Sequence, residues 1–342
     1  MKIIKRVVLI GSLVGLIVAG SSAWQWNHFI NNPIANSHAK QIIEIKSGAS
    51  ANKVAHLLHE QALLNSPKWF VWYLRYLGKH TQLKAGEIEI DPQWSVNTLI
   101  DKLVEGQAVQ YPVVLIAGQS LYENLQMMKA LPKIKQELDI NDIAGLQSLL
   151  GIQGRLDSKY PYANLEGWLL PETYHYQAGD SDKQILLRAY QSMKTTLDQA
   201  WSNRDKNLPF KTPYEALIMA SIVEKETGVA AERPKIAGVF IRRMKIGMRL
   251  QTDPTVIYGI GQGYDGNIRK RDLLKTTPYN TYKIRGLPPT PIALPSKEAI
   301  DAVMHPEKTK ALYFVAKGGG EHHFSNTLIE HNQAVNKYLL NR

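Results

Sequence analysis

Two parts of the chain have the residue types and spacing of a catalytic site. Glu226 stands near the end of a segment with helical periodicity, and the polar sequence RLQTDP follows at residues 249–254. At about 100° per residue, Glu226 falls on the same side of that helix as Met219, Ile222 and Val223. A carboxyl group held against hydrocarbon has its charged form disfavoured, so its pKa rises and it can stay protonated near neutral pH. Such a group is suited to general acid catalysis.

The helix that carries Glu226 has clear start and stop signals. In TPYE, residues 212–215, threonine is a typical N-cap, proline suits the first helical position, and glutamate completes a capping box. We expect Gly228 to end the helix. Glu224 points nearly opposite to Glu226, so we expect it to be a surface or supporting group. The alternative is that both glutamates are solvated charges at a helix end, where charged residues are common.

Several long motifs extend the pattern beyond this helix. IVEKET, ERPKIAGVFIRRM and MRLQTDPTVIYGIG surround the glutamate, and the others are LKAGEIEI, LEGWLLPETYHY, PYNTYKIRGLPPTPIALPS and LYFVAKGGGEHHFSNTLIEHN. Together they resemble the YceG-like (MltG-type) endolytic murein transglycosylases, from about residue 5 to the C-terminus. In that family the catalytic acid/base is the glutamate of the KET triplet, which here is Glu226. Thr227 matches the hydroxyl residue that follows the acid in other lytic transglycosylases.

The resemblance implies a lyase reaction that needs no cofactor. Glu226 would protonate the oxygen that links MurNAc to GlcNAc, and its carboxylate would then deprotonate the C6 hydroxyl of MurNAc. That hydroxyl closes a 1,6-anhydro ring, so no water is consumed. Cuts within nascent glycan strands would limit their elongation, with peptidoglycan synthases as candidate partners.

Two other functions remain open at this point. A muramidase of the usual hydrolytic type needs a second carboxylate, for which Glu166, Glu232 and Asp253 are candidates. The third hypothesis is a non-catalytic protein that binds the cell wall or serves as a scaffold.

Further polar residues are expected to contact the glycan. Asn280 and Tyr282 lie in a Gly-, Pro- and Tyr-rich segment that predicts irregular backbone. Arg249 is expected to hold a stem-peptide or lactyl carboxylate, and Glu166 lies among aromatic residues that suit a cleft wall. The predicted substrate-binding residues are Glu166, Arg249, Gln251, Thr252, Asp253, Asn280 and Tyr282.

The N-terminal residues predict a membrane segment. Residues 1–6 include three basic side chains and precede an uncharged 18-residue run, residues 7–24, which as a helix spans about 27 Å. Trp24 and Trp26 suit an interfacial aromatic belt, and the basic flank keeps the N-terminus in the cytoplasm. We expect a single-pass anchor in the inner (plasma) membrane with a periplasmic catalytic domain. A cleaved signal peptide, with small residues at 21–23, is the alternative.

The predicted fold class is α+β, with five segments. They are a cytoplasmic tail (1–6), a transmembrane anchor (7–26), a linker (27–40), a small α/β LysM-like subdomain (41–110) and a YceG-like catalytic domain (111–342). The LysM-like assignment fits strands at 42–45 and 87–90 with helices at 50–61, 67–77 and 96–104. The lysozyme-like character of the catalytic domain comes from the resemblance alone.

Helical or strand patterns also mark the second domain. We expect helices at 121–131, 134–150, 182–201 and 296–304, and strands at 110–116 and 312–316. In the LysM-like subdomain, an aromatic cluster (Trp69, Trp72, Tyr73 and Tyr76) is compatible with either a packed core or a sugar-binding platform.

Composition narrows the classes of ligand. The chain has 342 residues, no cysteine, a formal charge of +11 and a pI of about 9.5. The lack of cysteine excludes disulfides, zinc–thiolate sites and thiol catalysis. The positive charge suits anionic lipid or cell wall, and nucleic acid has only bulk charge in its favour because no nucleic-acid-binding motif is present.

Histidines near the C-terminus raise the question of a metal site. His323, Glu330 and His331 are the candidate ligands, but their spacing matches no metalloprotease pattern and HExxH is absent. The glycines at 318–320 lack the features of a phosphate-binding loop. We therefore expect no metal and no bound nucleotide.

Overall fold

The computed structural model describes residues 2–35, 39–154 and 157–340. The chain divides into two compact units, Met1–Tyr111 and Pro112–Arg342. Each unit contains helices and at least one two-stranded sheet. The mixed helix-and-sheet fold and the apolar N-terminal helix predicted from the sequence are confirmed.

The first unit begins with a long helix and continues as a small helix-and-sheet module. Within the helix, Leu9–Asn31 is long and apolar enough to cross a membrane. The elements of this unit are α1 (Lys2–Asn31), β1 (Gln41–Ile45), α2 (Ala51–Glu60), α3 (Pro67–Tyr76), β2 (Gly86–Ile90) and α4 (Val96–Glu105).

The two strands of this unit form one antiparallel ribbon over a helical layer. Gln41 pairs with Ile90 and Ile45 pairs with Gly86. Because strand side chains alternate between faces, every second residue points inward, and Ile43 and Ile88 are almost completely buried. These side chains form one core with the apolar sides of α2, α3 and α4.

The second unit is mainly helical. Strand β3 begins at the last residue of the first unit, and β3 and β4 form one two-stranded sheet while β5 and β6 form another. The elements are β3 (Tyr111–Val114), α5 (Leu121–Lys129), α6 (Ile143–Leu150), β4 (Thr173–Tyr176), α7 (Asp182–Ser202), α8 (Pro213–Glu226), α9 (Arg233–Lys245), α10 (Asp253–Ile260), α11 (Lys270–Leu274), α12 (Lys297–Met304), β5 (Tyr313–Gly318), β6 (Glu321–Ser325) and α13 (Leu328–Val335).

Helix α8 is the centre of the second unit. All residues from Ala216 to Val223 are buried, and α7, α9, α10 and α12 pack around the helix. A helix that is apolar on every side must be enclosed by other elements. The C-terminal end of α8, which carries Glu226, therefore extends from the core of the second unit to the start of α10.

The predicted ends of α8 are partly correct. Thr212 caps the helix by accepting a hydrogen bond from the Glu215 amide, 3.2 Å away, while the Glu215 carboxylate accepts from the Lys211 amide rather than closing the box. The expected stop at Gly228 is correct in position, since Gly228 directly follows the C-cap residue Thr227. The helix ends at Glu226 because Thr227 has an extended backbone.

The predicted helix at residues 134–150 is wrong in its first half, since only Ile143–Leu150 is helical. The Asp182 carboxylate accepts hydrogen bonds from the amides of Glu137 and Leu138 at 2.9 and 3.2 Å. The Lys135 amide donates to the Asp180 carbonyl. These contacts satisfy backbone donors that a helix would otherwise use.

Candidate active site

The Glu226 carboxyl group lies at the end of α8, facing the first turn of α10. Thr252, the N-cap residue of α10, donates its hydroxyl hydrogen to Glu226 Oε1. The residue is partly exposed, while its carboxyl group is almost fully enclosed. The acid is thus shielded from bulk water but reachable from one side.

A cluster of buried threonines holds Thr252 in place. The Thr252 amide donates to Thr281 Oγ1 at 3.0 Å, and the Thr255 and Thr281 hydroxyls are 2.9 Å apart. Thr255 also donates to the Thr252 carbonyl at 2.8 Å. Because every hydroxyl of this group is bonded, the donor aimed at Glu226 is held in one orientation.

Two basic residues, Arg243 and His322, also act on Glu226. Arg243 is buried, and its guanidinium donates to the carbonyls of Leu312, at 2.6 Å, and Leu250. His322 contacts the Glu232 carboxylate through Nδ1 at 2.8 Å. Both Arg243 and His322 favour the charged form of Glu226.

Burial nevertheless dominates the titration of Glu226. Loss of solvent contact raises its pKa to about 7, and the negative charge of Asp253 adds to this rise. The Thr252 hydrogen bond and the charges of His322 and Arg243 oppose it. A pKa near neutrality lets one carboxyl group give a proton and take one back at the same pH.

Glu224, two residues earlier, has a structural role. Its side chain is only 6% exposed and forms an ion pair with Arg233 at 3.1 Å. It also accepts hydrogen bonds from the Ser296 amide, at 3.0 Å, and the Ser296 hydroxyl. Ser296 is the N-cap of α12, so Glu224 ties α8 to α12. Glu224 is therefore a buried supporting group, and the alternative of two solvated glutamates is wrong.

A cleft of about 680 Å³ lies beside this helix end. Lys225 and Pro254, the sequence neighbours of Glu226 and Asp253, contribute to its wall. Five tyrosines also line the cleft, namely Tyr122, Tyr160, Tyr162, Tyr258 and Tyr264. Aromatic faces beside polar groups are a suitable lining for a carbohydrate ligand.

Glu166 is the second enclosed acid and lies at the wall of this cleft. It is 1% exposed and accepts hydrogen bonds from the Leu121 amide at 2.8 Å and the Tyr258 hydroxyl at 3.3 Å. Burial raises its pKa to about 8. The next residue, Gly167, has φ of +80°, and a Cβ there would lie 2.6 Å from Pro291, so only glycine fits this turn.

The other predicted contact residues fall into different places. Asp253 accepts a hydrogen bond from the Tyr282 hydroxyl at 2.7 Å, next to Thr252 and Glu226. Asn280 is buried, and its amide group donates to the carbonyls of residues 272, 273 and 275. Its donors therefore hold the end of α11.

Arg249 and Gln251 lie on the exposed loop that leads into α10. Gln251 has φ of +51°, and its amide donates to the Thr281 carbonyl at 3.2 Å. This contact fastens the loop just before Thr252. The side chains of Arg249 and Gln251 face solvent.

The candidate metal ligands are engaged separately. Glu330 accepts hydrogen bonds from the amides of Asn326 and Thr327, and His331 stacks on Tyr313 with ring centroids 5.1 Å apart. His323 lies next to Tyr338. Among the described residues, no group of three His, Cys, Asp or Glu side chains is placed to hold a metal ion.

The similarity to known proteins extends over the residues of this site. The model of the YceG-like family matches residues 43–337. The chain belongs to the YceG-like family. Among its relatives, an endolytic murein transglycosylase of Bacillus subtilis (strain 168) is 31% identical over 95% of this chain and 91% of its own length.

Two further relatives agree with this assignment. An endolytic murein transglycosylase of Streptococcus pneumoniae serotype 2 is 29% identical over 89% of this chain, which spans 59% of that longer relative. The crystal structure of a putative yceG-like protein from Listeria monocytogenes superposes with a TM-score of 0.56 at 31% identity. It covers 87% of this chain and 100% of its own.

Two residues near Glu226 in this YceG-like chain were missed in the sequence analysis. Arg243 follows Ile236, Val239 and Phe240 at helical spacing, so it occupies an apolar position on α9, and an arginine at such a position signals a buried partner. His322 gave no comparable signal because its contact with Glu232 joins residues 90 positions apart.

Proposed function

We propose that this protein is a membrane-anchored endolytic lytic transglycosylase that cleaves MurNAc–GlcNAc bonds within nascent peptidoglycan strands and so limits their elongation. The observation that carries the proposal is the enclosed Glu226 carboxyl, with a pKa of about 7 and a fixed hydroxyl donor on one oxygen. The names of the curated relatives support the same reaction.

In the proposed reaction, Glu226 starts as a neutral acid. Its proton passes to the glycosidic oxygen as the bond from that oxygen to the MurNAc anomeric carbon breaks. The resulting carboxylate is stabilised by the Thr252 hydrogen bond and by the positive charge of Arg243. These contacts cost nothing in reorganisation because they exist before the reaction.

The second step regenerates the acid. The C6 hydroxyl of the same MurNAc attacks the anomeric carbon and loses its proton to the Glu226 carboxylate. The products are a 1,6-anhydroMurNAc end and a new GlcNAc hydroxyl, so no water is consumed. One carboxyl group suffices for this sequence, whereas hydrolysis of the usual type needs two.

The other carboxylates near Glu226 have partners of their own. Glu232 is bonded to His322, and Asp253 accepts from Tyr282. Asp253 raises the pKa of Glu226 through its negative charge, so in this proposal it helps to keep the acid protonated. These contacts favour the lyase reaction over a muramidase on the same scaffold.

The glycan is proposed to occupy the tyrosine-lined cleft next to Lys225 and Pro254. Arg249 and Gln251 on the exposed loop, together with Tyr282 beside Asp253, are the proposed contacts nearest the reacting sugar. Thr252 and Asp253 are proposed to act on Glu226, and Asn280 to hold the loop that carries Tyr282. Glu166 is proposed to meet the sugar as a neutral carboxyl.

For the larger parts, we propose a lysozyme-like catalytic domain at 111–342 and a LysM-like subdomain at 41–110. Residues 7–26 would anchor the chain in the plasma membrane, between a cytoplasmic tail (1–6) and a linker (27–40), with the catalytic domain on the outer, periplasmic side. Helix α1, with its apolar segment, supports the anchor. Peptidoglycan synthases at the site of strand growth are the proposed protein partners.

Mass spectrometry of products from purified glycan strands tests the function. The full chain should release anhydroMurNAc ends, whereas Glu226→Gln should release them about 10²–10⁴-fold more slowly because an amide cannot donate the proton. Glu215→Gln, at the other end of α8, is the matched control and should behave as the wild type. Ordinary reducing ends would identify a hydrolase. Equal cleavage by Glu226→Gln would overturn the site, and strand binding without cleavage by the wild type would indicate a scaffold.

A further inference from the structure

The first unit carries exposed aromatic side chains that the proposed chemistry does not use. They lie on α3, whose sequence PKWFVWYLRY contains two basic residues and no acidic residue. One side of α3 is in the core, since Phe70 and Leu74 are completely buried. On the other side Trp72 is 57% exposed and Tyr76 is 74% exposed.

This side of α3 contacts the end of α1. The Trp26 ring lies 5.2 Å from the ring of Trp72 and 5.8 Å from that of Trp69, both edge-on. Phe29 of α1 contacts Trp69 in the same manner at 5.4 Å. We call the surface formed by the half-buried Trp26 and the exposed Trp69, Trp72 and Tyr76 the aromatic face.

The position of Trp26 along α1 fixes the depth of the aromatic face relative to a membrane. The strongly apolar run ends at Trp24, where the polar Gln25 follows, and Trp26 lies about 3 Å further along the helix axis. If residues 7–24 fill the hydrocarbon core, Trp26 and the α3 rings that touch it lie within the headgroup layer, which is about 5–8 Å thick on each side. Helix α1 is continuous through this point.

We propose that the aromatic face lies in the headgroup layer of the membrane that α1 crosses, so that the first unit rests on the lipid surface. The proposal rests on the membrane anchor of the proposed function. Tryptophan and tyrosine prefer this layer because their rings are apolar and their N–H or O–H groups are polar. The exposed Lys68 and Arg75 of α3 suit anionic lipid headgroups.

On the side of Trp72 and Lys68, the chemistry of the aromatic face fits lipid better than a glycan strand. A sugar platform places carboxylate or amide side chains beside its rings to bond hydroxyl groups. The hollow next to these rings is lined by Ser22, Trp26, Lys68, Trp69 and Trp72. It offers aromatic rings, a cation and one hydroxyl, which match a lipid headgroup with its acyl boundary.

The cysteine-free chain permits single nitroxide labels on the full-length protein in phosphatidylglycerol-containing vesicles. Labels at Tyr76→Cys, Leu16→Cys and Gln107→Cys report the aromatic face, the anchor and an exposed residue beyond the far end of α4. Accessibility to oxygen, which concentrates in lipid, is compared with accessibility to a water-soluble nickel chelate. We expect the Tyr76 label to lose nickel accessibility relative to the Gln107 label, and the Leu16 label to lose it entirely.

The outcomes separate this inference from the anchor. A lipid-shielded Leu16 label with Tyr76 and Gln107 labels equally open to nickel would overturn the aromatic face and leave the anchor intact. A Leu16 label open to nickel would overturn both. Immobilisation of the Tyr76 label by added glycan strands, without lipid shielding, would identify a sugar platform instead.

A second measurement avoids the label at Tyr76. Lipids brominated near the headgroup quench tryptophans that touch them. Trp72→Phe should remove a quenched part of the emission, whereas Trp201→Phe, on α7 in the second unit, should remove an unquenched part. Equal quenched fractions lost in both variants would contradict the proposal.

Discussion

The surroundings of Glu226 and Glu166 differ although burial raises the pKa of both. Glu226 ends a core helix, with the Thr252 hydroxyl on one oxygen and the charges of Arg243 and His322 acting on it. Glu166 accepts hydrogen bonds from the Leu121 amide, the Tyr258 hydroxyl and the Gly167 amide. Burial raises the pKa of Glu226 to about 7 against the Thr252 hydrogen bond and the Arg243 guanidinium, and it raises the pKa of Glu166 to about 8 against hydrogen bonds alone.

Burial is the main influence on both acids, and only Glu226 also has a positive charge among the influences that favour its carboxylate form. A group with a pKa near the working pH can both release and recover a proton. A group held neutral over the same range can donate a hydrogen bond but does not exchange its proton during a reaction cycle. Glu226 therefore suits the reacting position and Glu166 a fixed contact.

The largest expected effect on activity comes from replacing each of the two acids by glutamine in separate variants. Glu226→Gln should reduce the cleavage rate by about 10²–10⁴-fold because general acid–base catalysis is lost. Glu166→Gln should cost less than about tenfold, since an amide resembles a neutral carboxyl group. Steady-state rates on glycan strands at pH 6 measure both. A larger loss for Glu166→Gln than for Glu226→Gln would reverse the assignment.

The next effect concerns stability against pH. The folded pKa of Glu166 is above its usual value of 4.5, so the folded state binds more protons than the unfolded state between the two values. Its stabilising contribution is complete below about pH 4.5 and is lost as pH rises to about 8. In the wild type, the free energy of unfolding should therefore decrease by on the order of 3 kcal/mol between pH 5 and pH 8 because of Glu166. The Glu166→Gln variant should lack this decrease.

Urea unfolding of wild type and Glu166→Gln at several pH values measures this difference. Glu226 contributes a similar slope to both proteins and cancels in the comparison. Parallel profiles for the two proteins would mean that Glu166 is charged in the folded state.

The next prediction compares the effects on stability of replacing the buried Arg243 and the exposed Arg249. Arg243→Met should lower the free energy of unfolding by about 2–4 kcal/mol because it leaves buried carbonyl groups of Leu312 and Leu250 without donors. Arg249→Met, on the exposed loop, should change it by less than about 0.5 kcal/mol. Thermal and urea unfolding measure both, and equal effects would contradict the buried position of Arg243.

The smallest effect is on the pH profile. Thr252 donates to the charged form of Glu226 and so lowers its pKa. Thr252→Val should raise that pKa and move the alkaline limb of the rate profile upward by about 0.5–1 pH unit. Thr255→Val removes a hydroxyl that positions Thr252 without contacting Glu226, so it should move the limb in the same direction by a smaller amount. A downward shift for Thr252→Val would exclude this role.

Local patterns predicted the elements of the first unit well. The strands near 42–45 and 87–90 and all three short helices were expected from periodicity, and the structure has them within one or two residues. Here the buried residues recur at the period of the element, so the sequence carries the information directly. The aromatic cluster proved mixed, since Tyr73 is buried while Trp72 and Tyr76 are exposed.

Local patterns were less informative in the second unit. Periodicity placed Glu226 on the apolar side of α8 and Glu224 on the opposite side. In the structure the helix is buried on all sides, and both glutamate side chains are enclosed. The residues before α6 have helical composition yet bond to Asp182 and Asp180. Contacts between residues far apart in the sequence determine the burial of the two glutamates and the backbone before α6. Such contacts cannot be predicted from local periodicity.

By itself the sequence determined the apolar N-terminal helix and the capped start of α8, which follow from residue properties within one or two helical turns. The choice of Glu226 over Glu224 came from the resemblance of the KET motif to the YceG-like family. The tertiary structure decided the partners of Glu226, because Thr252, Arg243 and His322 approach it from separate elements. It also decided which carboxyl group feels positive charge, since electrostatic influence depends on distance in space and on burial rather than on position along the chain.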